Sequence, residues 1–222
     1  MMEQTDTGSF SCEMVEWMDA ADLSRILAYE IRDSGYSPDI VIAIGRGGYV
    51  PSRVVCDYML NEKLTSIKIE HWGIAAEKKE ETTVVFPLSI DIAGRSILII
   101  DDVTDTGDTL KAAVDYISSF GPSEIKTGVL HHKTGSSFSP DFYAEYVDIW
   151  RWIVYPWARH EELFGFSEKV LSGDYISLED VKARLSERYG FDAEIRGLTG
   201  AMEDLVSCGR AEESGGFYRK KR

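Results

Sequence analysis

Two short aliphatic runs constrain this chain more than any other feature. Asp39 to Ile44 reads DIVIAI, one acid followed by an unbroken apolar stretch, and Ser96 to Ile100 reads SILII. A strand with one wet face alternates polar and apolar residues. A strand apolar at every position is buried on both faces, which calls for helices above and below a parallel sheet. The first run leads straight into Gly45-Arg46-Gly47-Gly48 and the second into Asp101 to Thr109, and each loop opens into a segment of helical character. Strand, loop and helix in that order predict an α/β fold: a mostly parallel, twisted sheet flanked by helices. Ligands of such sheets sit beyond the carboxyl ends of the strands, where both loops fall.

The remaining elements fit around these two. Residues 19–33 carry an amphipathic stripe through Leu23, Ile26, Leu27 and Ile31, closed by a turn at Gly35 and Pro38. Residues 50–60 read as a helix with Pro51 in its first turn. Strand character appears at 65–70, 83–88 and 124–130, and helical character at 110–120, ended by Gly121-Pro122. Residues 1–16 are polar and irregular, 71–81 are polar, charged and aperiodic, and 131–166 are aromatic and irregular. Near Gly173 the character changes. Ser177, with Asp180 three residues on, opens a capped helix; a second helical stretch covers 194–207; Ser214-Gly215-Gly216 allows a hairpin. The expected organisation is a main domain over 1–166, with a small hood at about 131–160, and a C-terminal extension over 173–222.

At 222 residues and 44% hydrophobic, the chain can bury a core. Its formal charge of −14 argues against non-specific nucleic-acid binding by the whole surface, while leaving room for a local basic pocket. Cys12, Cys56 and Cys208 are far apart and form no CxxC pair, so neither a disulfide framework nor a zinc site is expected. No apolar run approaches the ~18–20 residues of a membrane helix, and the N-terminus lacks the basic-then-apolar pattern of a signal peptide. A cytoplasmic location is expected.

The segment Ile97 to Leu110, ILIIDDVTDTGDTL, concentrates the chemistry. Backbone N–H groups at the start of a helix, with Gly107 permitting close approach, cradle a phosphate, and Thr106 and Thr109 add hydroxyl donors. Adjacent carboxylates at Asp101 and Asp102 suit ribose hydroxyls or a hydrated magnesium ion. Asp105 has the chemistry to accept a proton or to stabilise developing positive charge.

This fourteen-residue pattern resembles the diphosphoribosyl-binding motif of type I phosphoribosyltransferases. The resemblance implies that Asp101 and Asp102 hold the ribose of 5-phosphoribosyl 1-diphosphate, one of them also through Mg2+. It implies that Asp105, Thr106, Gly107, Asp108 and Thr109 form the 5′-phosphate loop, with Asp105 as general base. Gly45, Arg46, Gly47 and Gly48, followed by Val50-Pro51, resemble the family's diphosphate loop. Arg46 offers a fixed fork of donors to phosphate oxygens, and in the family the peptide before this arginine can be cis. The segment 71–81 corresponds to a lid that excludes water from the transition state.

The string Trp152-Ile-Val-Tyr-Pro-Trp157 is similar to one found in xanthine-guanine and archaeal purine phosphoribosyltransferases. That likeness gives Trp152 the role of stacking on a purine, the carbonyl of Ile153 a contact at the base edge, and Lys133 donation to a 6-oxo oxygen. Lysine only donates, so it favours a 6-oxopurine over a 6-aminopurine. Trp150 is expected to be core packing. The resemblance covers about residues 17–165. It implies purine salvage: a 6-oxopurine (hypoxanthine, guanine or xanthine) becomes a nucleoside 5′-monophosphate, in a homodimer or homotetramer. The alternative is a regulator of the same fold that binds the donor or a purine and controls transcription through its C-terminal region.

Overall fold

The computed structural model describes residues 10–72 and 78–221. In chain order the elements are β1 (Cys12–Met14), α1 (Trp17–Asp33), β2 (Ile40–Gly45), α2 (Tyr49–Met59), β3 (Leu64–Trp72), β4 (Lys78–Phe86), β5 (Ser96–Thr104), α3 (Asp108–Ser118), β6 (Glu124–Lys133), β7 (Phe142–Val147), β8 (Trp152–Val154), α4 (Arg159–Val170), β9 (Ile176–Ser177), α5 (Leu178–Tyr189), α6 (Ile195–Ser207), β10 (Ala211–Ser214) and β11 (Phe217–Lys220). They form two compact units, one built from 16–72 and 78–150, the other from 10–15 and 151–221.

The first unit is a six-stranded sheet in the order β4-β3-β2-β5-β6-β7. All pairings are parallel except β3 with β4. The two aliphatic runs are the central neighbours β2 and β5, and every residue of β2 is buried. Successive side chains point to opposite faces. Ile42, Ile44, Ile97 and Ile99 meet Leu110, Ala113 and Ile117 of α3 in one apolar cluster. The alternate residues Val41, Ala43, Leu98 and Ile100 are equally buried, on the face covered by α1 and α2. This is the mostly parallel sheet with helices on both sides that the sequence predicts.

Several strands outrun their apolar stretches. β5 continues through Asp101, Asp102 and Val103 to Thr104, and β6 continues through His131 and His132 to Lys133, because the two ladders support each other: Asp101 pairs with Val129, Val103 with His131 and Thr104 with His132. Strand continuation needs a backbone partner, not an apolar side chain. The same reason corrects the expectation for 71–81: β3 runs to Trp72 and β4 begins at Lys78, as an antiparallel pair. Residues 73–77, and with them the centre of the expected lid, lie outside the described residues. Residues 131–166 are not irregular. Phe142–Val147 is the parallel edge strand of the main sheet, its mixed exposure reflecting an edge position, so that stretch belongs to the sheet rather than to a hood.

The second unit has its own core, in which Phe166, Val181, Leu185, Tyr189, Leu198, Met202 and Leu205 are buried together. Cys12–Met14, expected to be irregular, pairs in parallel with β8, and Glu13 forms an ion pair with Arg151. Ser177 and Asp180 make the expected capping box at the start of α5: the Asp180 N–H donates to Ser177 Oγ at 3.1 Å and the Ser177 N–H to Asp180 Oδ2 at 3.1 Å. Gly215 and Gly216, with φ of 61° and 83°, form a two-residue hairpin turn that needs positive φ at both positions. Sheet order β10-β11-β9, combined with α4, α5 and α6, gives the helix–strand–helix–helix–hairpin order of a winged-helix unit. The division between units falls at Trp150/Arg151, earlier than the 166–173 expected, because α4 packs against α5 and α6. Among the described residues no helix is long and apolar enough to cross a membrane.

Candidate active site

The site gathers at the carboxyl ends of β2, β5 and β6. The glycine-rich turn after β2 lies directly against the acidic end of β5. A Cβ added to Gly47 would stand 2.3 Å from Asp102 Oδ2, and one added to Gly48 would stand 2.3 Å from the Ile100 carbonyl oxygen. Neither separation is possible for a real side chain; at Gly48 the obstructing atoms are backbone, so glycine there is what lets the loops meet. Arg46 is exposed beside them, and the Gly45–Arg46 peptide is cis, the form the resemblance allows for.

Asp101 is buried, and its Oδ1 accepts the Asp102 backbone N–H at 3.0 Å. Loss of water pushes its carboxyl well above the usual carboxylate range. The neighbouring Asp102 charge adds to this, and hydrogen bonds from the backbone of Asp102 and Gly48 act the other way. Added positive charge would relieve such a pair. Among the described residues no three His, Cys, Asp or Glu side chains gather into a metal cage. A donor set of one or two carboxylates fits Mg2+, which keeps most of its waters and shares substrate oxygens.

Asp105 begins the loop after β5. Its Oδ2 is 3.1 Å from Lys133 Nζ at the end of β6, and its Oδ1 accepts the indole N–H of Trp150 at 2.9 Å. The lysine side chain is 2% exposed and that of Asp105 12%, so this ion pair is almost dry. The Lys133 ammonium also lies 5.0 Å from the centre of the Trp150 ring. The strand extension of β6 delivers the lysine: Lys133 still pairs with Val147 of β7.

The loop continues from Asp105. Thr106 Oγ1 donates to Asp108 Oδ2 at 2.8 Å, Gly107 has φ 88°, and α3 starts at Asp108, two residues before the apolar periodicity begins. Thr109 is half-buried in the first turn of α3. Gly107 sits against a second loop: a Cβ there would be 2.6 Å from that of Phe138 and 2.7 Å from Ser136 Oγ. The Ser137 N–H and hydroxyl both donate to the Thr106 carbonyl at 2.9 Å. Behind the loop, Thr104 Oγ1 and His132 Nδ1 are 2.9 Å apart, and burial lowers the pKa of that imidazole.

The structure therefore brings together Asp101, Asp102, the 45–48 loop, the 105–109 loop and Lys133. Trp152 and Ile153 lie in the second unit, in β8, where Trp152 packs at 6.5 Å from Phe10. Trp150 is a correction. Sequence reasoning gave it to the core, yet it hydrogen-bonds Asp105 across 45 positions of sequence. Only the habit of buried indole N–H groups of finding a partner hinted at a polar role.

A family model described as a phosphoribosyl transferase domain matches residues 13–160. Hypoxanthine-guanine phosphoribosyltransferase of Saccharomyces cerevisiae is 24% identical over 131 residues, covering 51% of this chain and 58% of that protein. Xanthine-guanine phosphoribosyltransferase of Idiomarina loihiensis is 25% identical over 120 residues, 54% of this chain and 71% of that one. The crystal structure of a purine phosphoribosyltransferase from Pyrococcus horikoshii superposes with a TM-score of 0.57 at 27% identity, over 66% of this chain and 93% of the other. The chain spans less than two thirds of the length of the first curated relatives it matches.

Proposed function

Because this chain belongs to the phosphoribosyl transferase domain family, we propose that it transfers the 5-phosphoribosyl group of 5-phosphoribosyl 1-diphosphate to N9 of a 6-oxopurine in purine salvage. The products are the nucleoside 5′-monophosphate and diphosphate. The observation that carries the choice of base is the side-by-side placement of Lys133 Nζ and Asp105 Oδ2, 3.1 Å apart. One edge of a 6-oxopurine presents an acceptor at O6 beside N7, which carries a proton in one tautomer of the free base. An ammonium donor beside a carboxylate acceptor is complementary to that edge. A 6-aminopurine would set its amino donors against the ammonium, donor against donor at a nearly dry site.

In the reaction N9 attacks C1′, the bond from C1′ to the diphosphate oxygen breaks with its electron pair, and Asp105 takes the N7 proton. Arg46 and the amides of the 45–48 loop bind the diphosphate as its charge grows. The amides of 106–109, with the hydroxyls of Thr106 and Thr109, hold the 5′-phosphate, and Asp101 and Asp102 orient the ribose. Mg2+ would be held by Asp101 and Asp102 together with donor oxygens, where it offsets negative charge on the diphosphate. Trp152 stacks on the base and the Ile153 carbonyl meets its edge, roles that rest on the family resemblance.

The test is diphosphate release from the donor, with magnesium, in the presence of hypoxanthine, guanine, xanthine, adenine or uracil. Turnover with at least one 6-oxopurine well above adenine and uracil is expected; the reverse order refutes the base assignment. Asp105→Asn is expected to lower kcat by about 10²-fold or more with little change in donor KM, and equal turnover would remove its role as base. A second reading, a regulator of this fold, draws on the winged-helix order of α4–α6 and β9–β11. Against it, the exposed face of α6 sets Glu203 and Asp204 against Arg196. Silence with all five bases, together with a retarded DNA band, would favour it.

A further inference from the structure

Both oxygens of Asp105 are engaged, and by different chemistry. Lys133 holds Oδ2 through charge, and Trp150 holds Oδ1 through a single indole N–H. The same indole presents its ring to the Lys133 ammonium at 5.0 Å. Trp150 therefore touches both members of the pair that the proposed reaction uses, the N–H fixing the acid and the ring flanking the cation.

The two anchors differ in what happens when a base enters. On the reading of the preceding subsection, Lys133 turns from Asp105 to the 6-oxo oxygen, so the carboxylate loses one of its two partners at the moment it must accept a proton. The terminal torsion of an aspartate is broad and roughly two-fold, so a carboxylate held at neither oxygen samples many orientations. The indole N–H at Oδ1 does not compete with the base, and it is the anchor that remains. We propose that Trp150 is a positioning residue of the transfer reaction. It keeps the Asp105 carboxylate in plane and within reach of N7 after Lys133 has exchanged partners. By fixing the spacing of donor and acceptor, it also sharpens selection of a 6-oxopurine over a 6-aminopurine.

Two substitutions separate the parts of this role. Trp150→Phe keeps an aromatic face for Lys133 and removes the N–H; Trp150→Leu removes both. With a 6-oxopurine that wild type uses, Trp150→Phe is expected to lower kcat about 10- to 100-fold, the range for losing a hydrogen bond to a charged group, while donor KM stays within about two-fold. The ratio of 6-oxopurine to adenine turnover is expected to narrow, and further in Trp150→Leu. A merely structural tryptophan would move donor KM and thermal stability together and leave the ratio alone, and that pattern overturns the proposal. An activity-free readout covers a variant that fails to fold and a wild type that proves inactive, the latter defeating the reaction reading alone. In 15N-labelled protein the Trp150 indole N–H resonance is expected to move clearly when Asp105 is replaced by Asn. A resonance that stays in place shows that the contact does not exist and removes the proposal.

Discussion

Gly47 and Gly48 are neighbours with opposite vulnerabilities, and substituting each by alanine separates stability from activity. At Gly48 the new Cβ would meet backbone on two strands: the Ile100 carbonyl oxygen at 2.3 Å, the Ile44 carbonyl oxygen at 2.8 Å and the Ile44 nitrogen at 3.0 Å. None of these atoms can step aside without opening the β2–β5 ladder, where Ile40 to Ala43 pair with Ile97 to Ile100. Overpacking of this kind costs about 3 kcal/mol, the upper part of its usual range. For a chain of this size that lowers Tm by roughly 6–12 °C. At Gly47 the three nearest atoms all belong to the Asp102 carboxylate, at 2.3 to 2.6 Å. A side-chain end can swing away, and to reach ordinary contact it must retreat by about 1 Å. Stability should change by less than about 1 kcal/mol, but a displacement near 1 Å at a carboxylate with the role proposed for Asp102 is of the size that costs about 10²-fold in rate. Calorimetry and steady-state kinetics on both variants decide the matter. Gly48→Ala melting within 2 °C of wild type would refute the claim that backbone contact fixes this residue. Gly47→Ala with unchanged kcat/KM would refute the coupling of the 45–48 loop to Asp102.

Burial pushes the Cys12 thiol up to about 12, with the Glu162 charge adding to the effect, and the Cys56 thiol up to about 11. Since the thiolate is the reactive form and a raised pKa keeps the proton on, iodoacetamide at pH 8 should label only exposed Cys208 in the native protein and all three thiols in denaturant; mass spectrometry reading two or more adducts on native protein would contradict this. Ser177→Ala removes the acceptor that takes the Asp180 N–H at 3.1 Å and should destabilise the second unit by about 1 kcal/mol in urea unfolding, with donor KM unchanged; a loss below 0.3 kcal/mol would mean that the cap contributes nothing.

What the residues disclosed in advance depended on whether the cause was local. β2 and β5 were legible because burial on both faces writes an unbroken apolar run, and α5 because Ser177 and Asp180 satisfy each other within one turn. The two loops of the site were legible because each is a short glycine-rich or acidic segment that directly follows a buried strand. Strand ends were not. β5 carries on through two aspartates because β6 lies alongside, and β7 mixes aromatic and polar residues because it is an edge. Nor was the role of Trp150 legible, because its partner lies 45 positions away and packing is the commoner fate of a tryptophan.

The extension of β5 through Asp101 to Thr104 has a consequence for where binding must spend ordering free energy. Ligand-binding residues are usually drawn from the parts of a protein that open most readily. Here Asp101, Val103 and Thr104 lie inside a parallel ladder next to the most deeply buried strand of the sheet. Their amides should exchange with solvent about as slowly as those of the core. The 105–107 segment and the 134–138 turn that braces it lie outside the ladders and should exchange faster. One side of the site is thus already as ordered as the interior before any ligand arrives. The entropy lost on binding would be confined to the 105–109 side, and protection gained on adding the proposed donor should appear at 105–109 and 134–138 while the acidic strand end scarcely changes.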